Sequence, residues 1–383
     1  MYEKAFRSAF LSLGIIVVSL FKNITYHILH GRFHLSADRD FGSVGGMRLP
    51  TIIYPPSIPW NWMFQRPQQI MYRLAALGYT VLYEDLGNDS KHEVQELFPS
   101  FYLCQGISAL SVPHSRPRIL WLTVPSHINL VEKYSPDLIV FDAVDEPKEE
   151  FASWAPYYST ILTRAQLVFA TAKSIYDNLS SQHPNVHLVP NAVDYVHFSA
   201  PLLPRPIDLP KENPLIGYSG AIAPWIDWDL VQFVVRENPD LQFIFIGSLF
   251  QMHKFPLKYR NATYLGQKSY AQLPSYLQQF AIGLIPFQLT EMTKGCNPIK
   301  LYEYYAAGLP VFGTPLPELL PIPKIHLEAD SARFSLRLRE IALHGDKGKR
   351  ERLAYAQGND WANRTVQIDQ HLKESLMITN HPS

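Results

Sequence analysis

The sequence has little charge, little cysteine and no long apolar run, and each shortage excludes a class of protein. Its 34 Lys and Arg residues balance its 34 Asp and Glu residues, whereas a chain that binds nucleic acid normally carries a basic excess. Its two cysteines, Cys104 and Cys296, are too few for a disulfide framework, which predicts a reducing compartment. The apolar segment at residues 9–21 is shorter than the roughly 20 residues that span a bilayer.

Several catalytic signatures are also missing. The chain has no Gly-x-Ser-x-Gly, His-Glu-x-x-His, Cys-x-x-Cys or Gly-x-x-x-x-Gly-Lys-Ser/Thr pattern, which argues against the common hydrolases, metalloproteases, thiol redox enzymes and P-loop proteins. Two Asp-x-Asp triplets occur, at 38–40 and 227–229. Because either triplet is readily explained as a helix cap or as solvated charge, we expect no required metal.

What the sequence does contain is a large apolar fraction in an alternating pattern. Apolar residues make up 47% of the chain, enough to bury a large core. From Leu49 onward, short apolar runs that end in Pro, Gly, Asp or Ser alternate with helical stretches. This alternation predicts an α/β fold of two doubly wound, Rossmann-like domains that face each other across a cleft.

A Pro-rich segment at residues 200–210 separates two α/β series of similar size. We therefore expect four parts along the chain: an apolar extension at 1–46, a first domain at 47–205, a second domain at 206–357, and a C-terminal helix at 358–383 that crosses back to the first domain. The extension has three interpretations: a helix on a membrane surface, a helix packed on the protein, or a dispensable appendage.

The segment at 297–311 (NPIKLYEYYAAGLPV) carries the strongest chemical signal. Asn297 is suited to cap a helix with Pro298 in its first position. This helix would begin just beyond a strand end, so that its free N–H groups bind an anion such as a diphosphate. Lys294 and Lys300 add positive charge, and Glu303 can accept hydrogen bonds from a ribose. The alternative is a well-capped helix with solvated charges.

The same segment resembles the donor-binding motif of GT-B glycosyltransferases, above all bacterial enzymes of the family 4/family 1 type, including teichuronic acid biosynthesis glycosyltransferases. Four further segments resemble motifs of this group in the same order. They are 64–70 (FQRPQQI), 167–174 (LVFATAKS), 189–194 (VPNAVD) and 216–222 (IGYSGAI). The resemblance implies a hexosyltransferase that moves a sugar from a nucleotide sugar, expected to be UDP-linked, to a glycan or lipid-linked acceptor.

The resemblance also implies roles for residues in the second domain. The donor-binding set is Gly220, Lys294, Asn297, Pro298, Ile299, Lys300 and Glu303. Glu303 corresponds to the second Glu of a Glu-x7-Glu motif and would bind the ribose, whereas the first Glu would fall at Gly295 and is absent. The Arg and Lys that many relatives carry after the first strand of this domain are absent from 220–227.

The first domain is expected to contribute the catalytic and acceptor-binding groups. Asp142 and Asp145 follow a predicted strand, in a stretch that resembles the group's YDxxDE, and either could orient a hydroxyl or act as a base. His127 follows another strand and is the third catalytic candidate. Trp60 and Trp62 would stack on a sugar or lipid-linked acceptor, and Arg66 would meet a phosphate or carboxylate. The alternatives are core packing for a tryptophan and turn capping for Asp142.

The expected reaction is glycosyl transfer in cell-surface polysaccharide synthesis, with retention of configuration and with no cofactor besides the donor. Two alternatives stay open: a nucleotide-sugar 2-epimerase on the same fold, and an inactive sugar-nucleotide-binding scaffold. Because nucleotide sugars are cytosolic, we expect a cytoplasmic enzyme that contacts the membrane through residues 6–21 and binds no nucleic acid.

Overall fold

The structure, a computed structural model, describes residues 50–87, 92–211 and 214–380. The expected extension at 1–46, including the membrane-contact segment at 6–21, lies outside the described residues. Across the described ranges, no helix is both long and apolar enough to cross a membrane.

Fourteen strands are present among these residues and form two sheets. The first sheet contains β1 (Thr51–Tyr54), β2 (Thr80–Asp85), β3 (Glu93–Phe98), β4 (Phe101–Gln105), β5 (Arg118–Leu122), β6 (Leu138–Ala143), β7 (Leu167–Ala170) and β8 (Val186–Leu188). The second sheet contains β9 (Leu215–Ser219), β10 (Gln242–Ile246), β11 (Ala262–Tyr264), β12 (Phe280–Ile285), β13 (Val311–Gly313) and β14 (His326–Leu327).

The α-helices lie between the strands and after them. Those in the first half are α1 (Arg66–Ala76), α2 (Val131–Tyr134), α3 (Ala155–Arg164), α4 (Lys173–Ser180) and α5 (Tyr195–Phe198). Those in the second half are α6 (Trp228–Glu237), α7 (Leu273–Leu277), α8 (Glu291–Lys294), α9 (Ile299–Ala306), α10 (Ser331–His344), α11 (Lys349–Gly358) and α12 (Trp361–Asn380). Short 3-10 helices occupy Ala109–Ser111, Pro125–Leu130, Glu149–Trp154, Tyr270–Gln272 and Pro317–Leu319.

Both sheets are built from buried parallel strands. The first has the strand order β3-β4-β2-β1-β5-β6-β7-β8, and the second has the order β11-β10-β9-β12-β13-β14. Every pairing is parallel except that of β3 with β4. The central strands are apolar on both faces because helices cover both faces. The carboxyl ends of parallel strands form the edge at which ligands bind in such sheets.

One antiparallel strand pair departs from the predicted alternation. Strands that alternate with helices pair in parallel, whereas β3 and β4 follow each other directly and form an antiparallel pair at the edge of the first sheet. Most of β3 is exposed. Its sequence is therefore largely polar and does not form the buried apolar run that predicts a strand.

The chain passes between the two hydrophobic cores at adjacent points. Val189 and Ala192 pack in the first core, whereas Val193 and Phe198 pack in the second. The return is at Trp361, whose backbone N–H donates to the carbonyl of Val193 over 2.9 Å. The outward crossing therefore precedes position 205, and Leu209 of the Pro-rich segment is buried in the second core.

Helix α12 returns the chain to the first domain. Trp361, Ile368, Leu372 and Leu376 are buried in the first core, where the helix lies against α1. This packing holds the end of the chain against the first sheet, so that the return of the chain at Trp361 lies beside its outward crossing at Val193.

Candidate active site

The end of β9 approaches α9 at Gly220. This glycine has φ +147°, and a Cβ placed on it would lie 2.8 Å from Cε and 3.1 Å from Nζ of Lys300. A side chain at 220 would therefore collide with the lysine. Glycine allows the loop and the lysine to share the carboxyl end of the central strand.

Lys300 is held at this point without a carboxylate partner. Its ammonium nitrogen lies 5.2 Å from the ring centroid of Tyr218 and 4.7 Å from that of Phe287. Among the described residues it makes no hydrogen bond or ion pair, and burial lowers its pKa. A partly buried cation beside two aromatic rings, with no carboxylate partner, is well placed to bind an anion.

Glu303 lies one turn after Lys300 on the same face of α9. Its carboxylate forms no hydrogen bond with any residue that the structure describes. Burial raises its pKa to about 7, and the positive charge of Lys300 opposes that rise. The helix thus presents a free cation and a free carboxyl side by side, which matches a phosphate next to a sugar hydroxyl.

The start of α9 differs from the prediction at Asn297. The helix begins at Ile299, and the N-cap residue is Pro298, which gives no side-chain cap. The Asn297 side chain instead accepts from the backbone N–H of Asn191 over 3.1 Å and donates to Glu318 over 2.9 Å. The predicted cap is therefore wrong, because these bonds to the first domain and to a neighbouring loop hold the asparagine.

The other predicted donor residues take up different positions around the helix start. Ile299 packs against the first core, and Pro298 is buried. Lys294, on α8, forms an ion pair with Glu291, so its charge is partly neutralised. Of the two lysines, Lys300 alone is unpaired, and it is the second residue of α9, whose start favours an anion.

Asp145 is the first-domain carboxylate that approaches this group. It follows β6, and its side chain makes no hydrogen bond within the described part of the chain. Burial, and next the negative charge of Glu146, raise its pKa to about 7. Its charge also acts on the thiol of Cys296, whose pKa burial raises to about 12. Since Cys296 interacts with Lys300 as well, Asp145 lies on the side of the cleft that faces α9.

Asp142 and Arg66, predicted as a catalytic and an acceptor-binding residue, form a buried ion pair. The guanidinium donates to both carboxylate oxygens, over 2.7 Å and 2.9 Å. Arg66 also donates to the carbonyl of Val189 over 3.0 Å. The two side chains are 3% and 0% exposed, which contradicts their predicted places on the cleft surface. The pair instead links α1, β6 and the loop after β8 beneath the cleft.

The two tryptophans predicted to bind the acceptor lie in different environments. Trp60 is buried in the first core against Tyr83 and Phe101, with ring centroids 5.3 Å and 4.8 Å away. Its predicted contact with an acceptor is therefore excluded by burial. Trp62 is partly exposed and points toward Phe250 of the second domain, 6.5 Å away between centroids.

His127 lies at the carboxyl ends of β1 and β5. Its Nδ1 is 3.2 Å from Oγ of Ser57, and burial lowers its pKa. The ring is therefore neutral at pH 7 and can donate or accept a hydrogen bond. Asp227, of the second Asp-x-Asp triplet, accepts from the N–H of Leu230 and caps α6. No group of three described side chains is arranged to hold a metal ion.

Several residues of the site were not predicted. Asn191, Glu318 and Lys173 together fasten the start of α9 to the first domain, since Glu318 also accepts from the N–H of Lys173 over 2.8 Å. Tyr304 accepts a hydrogen bond from the N–H of Ser219, 2.8 Å away, and so ties α9 to the end of β9. Asn191 lies in the predicted motif at 189–194, which is the one signal that could have identified it.

The chain is similar to a known protein in sequence. It is 26% identical over 231 residues to TuaH of Bacillus subtilis (strain 168), whose name assigns it to teichuronic acid biosynthesis as a glycosyltransferase. The match covers 54% of this chain and 57% of that protein, so the chain spans just over half the length of its relative. No family model matches the chain.

Solved structures show the same architecture. HepE of Anabaena, in complex with UDP-glucose, has a TM-score of 0.63 at 11% identity, over 85% of this chain and 99% of that one. Trehalose 6-phosphate synthase of Burkholderia multivorans has a TM-score of 0.59 at 9% identity, over 86% and 99%. The predicted fold class is confirmed: the chain has the GT-B architecture of two Rossmann-like domains.

Proposed function

We propose that the chain is a glycosyltransferase that moves a hexose from a UDP-sugar to a glycan or lipid-linked acceptor in cell-surface polysaccharide synthesis. The free Lys300 and Glu303 side chains on one face of α9, beside Gly220, carry this proposal. The likeness to TuaH supports the reaction class and the cell-surface role. The HepE structure, which holds UDP-glucose on the same fold, supports the donor class.

In the proposed complex, Lys300 and the start of α9 hold the diphosphate. The N–H groups at a helix start and an ammonium group both favour negative charge. Glu303 accepts hydrogen bonds from the ribose hydroxyl groups. During transfer, the bond from the anomeric carbon to the diphosphate breaks, and the anomeric carbon bonds to the acceptor oxygen. The acceptor hydroxyl passes its proton to the diphosphate oxygen that the sugar leaves, so that the products are the glycoside and UDP, and Lys300 stabilises the charge that develops on the departing diphosphate.

The first domain supplies the acceptor side in this proposal. Asp145 accepts a hydrogen bond from the acceptor hydroxyl and orients it, and neutral His127 lies at the neighbouring strand ends. Trp62 offers an exposed ring for a sugar face. Asp142, Arg66 and Trp60 have structural roles and do not take part. We further propose that configuration at the anomeric carbon is retained, as the family resemblance implies.

A panel of nucleotide sugars, incubated with cell-envelope glycan and lipid-linked acceptors, tests the function. Mass analysis of the products should show addition of one hexose with release of UDP, and NMR of the new linkage should show retention. A donor converted to its 2-epimer would indicate the epimerase alternative. Binding of a donor without any product across the panel would indicate the scaffold.

A further inference from the structure

The loop after β6 crosses from the first domain and lies against the segment before α9. Glu149 accepts a hydrogen bond from the backbone N–H of Met292 over 2.8 Å. On the adjacent α4, the hydroxyl of Ser174 lies 3.5 Å from the carbonyl of Lys294. The first contact holds the loop after β6 against α8, and the second holds α4 against the end of α8.

Gly295 lies directly against the side chain of Glu146. A Cβ placed on it would lie 2.7 Å from Cγ and 3.5 Å from Oε1 of Glu146. Its φ of −90° and ψ of 6° are open to residues other than glycine. The backbone therefore does not require a glycine at 295. Instead, the Glu146 side chain, together with Ile175 at 3.2 Å, fills the space that a side chain at 295 would take.

Glu146 is also unpaired. It forms no hydrogen bond or ion pair with a described residue, and burial, together with the nearby Glu291, raises its pKa, which Lys148 opposes. A partly buried carboxylate without a partner destabilises the folded protein. A ligand hydroxyl at this point would supply the missing hydrogen-bond donor.

The order of groups along the cleft identifies that ligand. A nucleotide sugar is a linear molecule in which the diphosphate joins the nucleoside to the sugar. Under the proposed function, Glu303 binds the ribose and Lys300 binds the diphosphate. Gly295 precedes Lys300, on the side of the helix start away from Glu303. The sugar therefore extends toward Gly295 and meets the side chain that covers it.

We propose that Glu146 accepts hydrogen bonds from hydroxyl groups of the donor sugar and positions its ring. This inference rests on the proposed function and assigns the sugar subsite within it. In this chain the carboxylate comes from the first domain, at the place where the resemblance expects a glutamate at 295. The sugar subsite is then complete only when the two domains are in contact.

Calorimetric titration of the full chain with UDP and with three donors tests the assignment: UDP-glucose, UDP-galactose and UDP-N-acetylglucosamine. Glu146→Gln should weaken binding of the preferred UDP-sugar about tenfold, as expected for loss of one charged hydrogen bond. Its affinity for UDP should stay within about twofold. A purely structural role would weaken both ligands alike. The matched control Glu132→Gln removes an exposed carboxylate that pairs with Arg164 and should change neither affinity.

A second test moves the carboxylate from position 146 to position 295 and compares two variants. Gly295→Glu alone should lose UDP-sugar binding, because two glutamates then compete for one space. Glu146→Ala combined with Gly295→Glu should recover at least half of the lost binding free energy. No recovery in the double variant, or equal losses for UDP and UDP-sugar in Glu146→Gln, would overturn the assignment. Failure of the wild-type chain to bind UDP would overturn the proposed function itself.

Discussion

The two sides of the cleft differ in how their polar groups are satisfied. On the second-domain side, Lys300 and Glu303 are partly buried and have no hydrogen-bond partner among the described residues. On the first-domain side, Asp142 and Arg66 are more deeply buried, and the guanidinium donates three hydrogen bonds to the carboxylate. Position at the end of a parallel strand is common to both sides, so position alone does not distinguish a binding group from a structural one.

The difference indicates which polar groups are free to bind a ligand. A fully buried polar group is normally hydrogen-bonded within the protein, whereas a partly buried group in the cleft that has no protein partner is accessible to a ligand. Asp145 and Glu146 meet this description on the first-domain side, although their neighbour Asp142 does not. The following variants test the contrast between paired and unpaired groups, from the largest expected effect to the smallest.

Breaking the buried pair should give the largest effect, and the effect should be on stability. Arg66→Ala leaves the Asp142 charge buried and unpaired, which should lower the free energy of unfolding by about 3–5 kcal/mol, measured by urea denaturation. Arg339→Ala is the matched control, because Arg339 forms a similar two-bond pair with Asp240 on the surface and should cost little. A small loss of unfolding free energy in Arg66→Ala would contradict the structural role and favour the predicted role of Arg66 in acceptor binding.

Removing the unpaired cation should affect catalysis rather than stability. Lys300→Ala should lower kcat for sugar transfer about 100-fold, because the departing diphosphate loses its nearest positive charge. Its unfolding free energy should fall by at most about 1 kcal/mol, since the loss is confined to the contacts of the ammonium with the rings of Tyr218 and Phe287. Lys294→Ala, which removes a lysine already paired with Glu291, should cost less than tenfold. Equal losses of kcat in the two variants would contradict the distinction between the unpaired Lys300 and the paired Lys294.

Neutralising Asp145 should stabilise the protein at high pH. Its pKa in the folded chain, about 7, lies above the usual value of roughly 3.9 in an unfolded chain. The ionised group therefore lowers stability as pH rises from about 4 to 7. Asp145→Asn should raise the unfolding free energy by roughly 2 kcal/mol more at pH 8 than at pH 5. A pH-independent difference in urea denaturation would show that Asp145 is not an unpaired buried group.

The pH dependence of donor binding should show the smallest effect. Glu303, with a pKa of about 7, is ionised above that pH and protonated below it. Because a ribose hydroxyl donates best to the ionised carboxylate, affinity for UDP-glucose should fall roughly tenfold from pH 8 to pH 6. The diphosphate of a UDP-sugar does not titrate in this interval. Calorimetry on Glu303→Gln should show weaker binding that is flat with pH, and a slope that persists in this variant would assign it to another group.

The sequence predicted the donor side better than the acceptor side for a physical reason. The donor groups lie on one helix and at one strand end, so a short segment with local signals contains them. The pairing of Arg66 with Asp142 joins residues that are 76 positions apart, and that of Asn191 with Asn297 joins residues 106 apart. No local sequence pattern shows such contacts. For this reason the predicted acceptor contact of Arg66 and the predicted helix cap at Asn297 were wrong.

The fold class followed from the alternation of strands and helices, because burial on both faces leaves near-continuous apolar runs. Strand β3 lacked that signal, since it lies exposed at a sheet edge. Glu146 is the last residue of the stretch that resembles YDxxDE, but its contact with the second domain was not predictable. The proposed role depends on a glycine in the other domain, and sequence spacing contains no information about that contact.

The central claim is that the unpaired Lys300 and Glu303 bind the nucleotide. Calorimetric titration of UDP into the full chain and into Glu303→Ala, at pH 8, tests it most directly. Wild type should bind UDP, and the variant should bind it at least about tenfold more weakly, as expected for loss of a charged hydrogen bond. Its thermal unfolding temperature should be no lower than that of wild type, because the raised pKa of Glu303 makes the ionised group destabilising at this pH. Equal UDP affinity in the two proteins would contradict it.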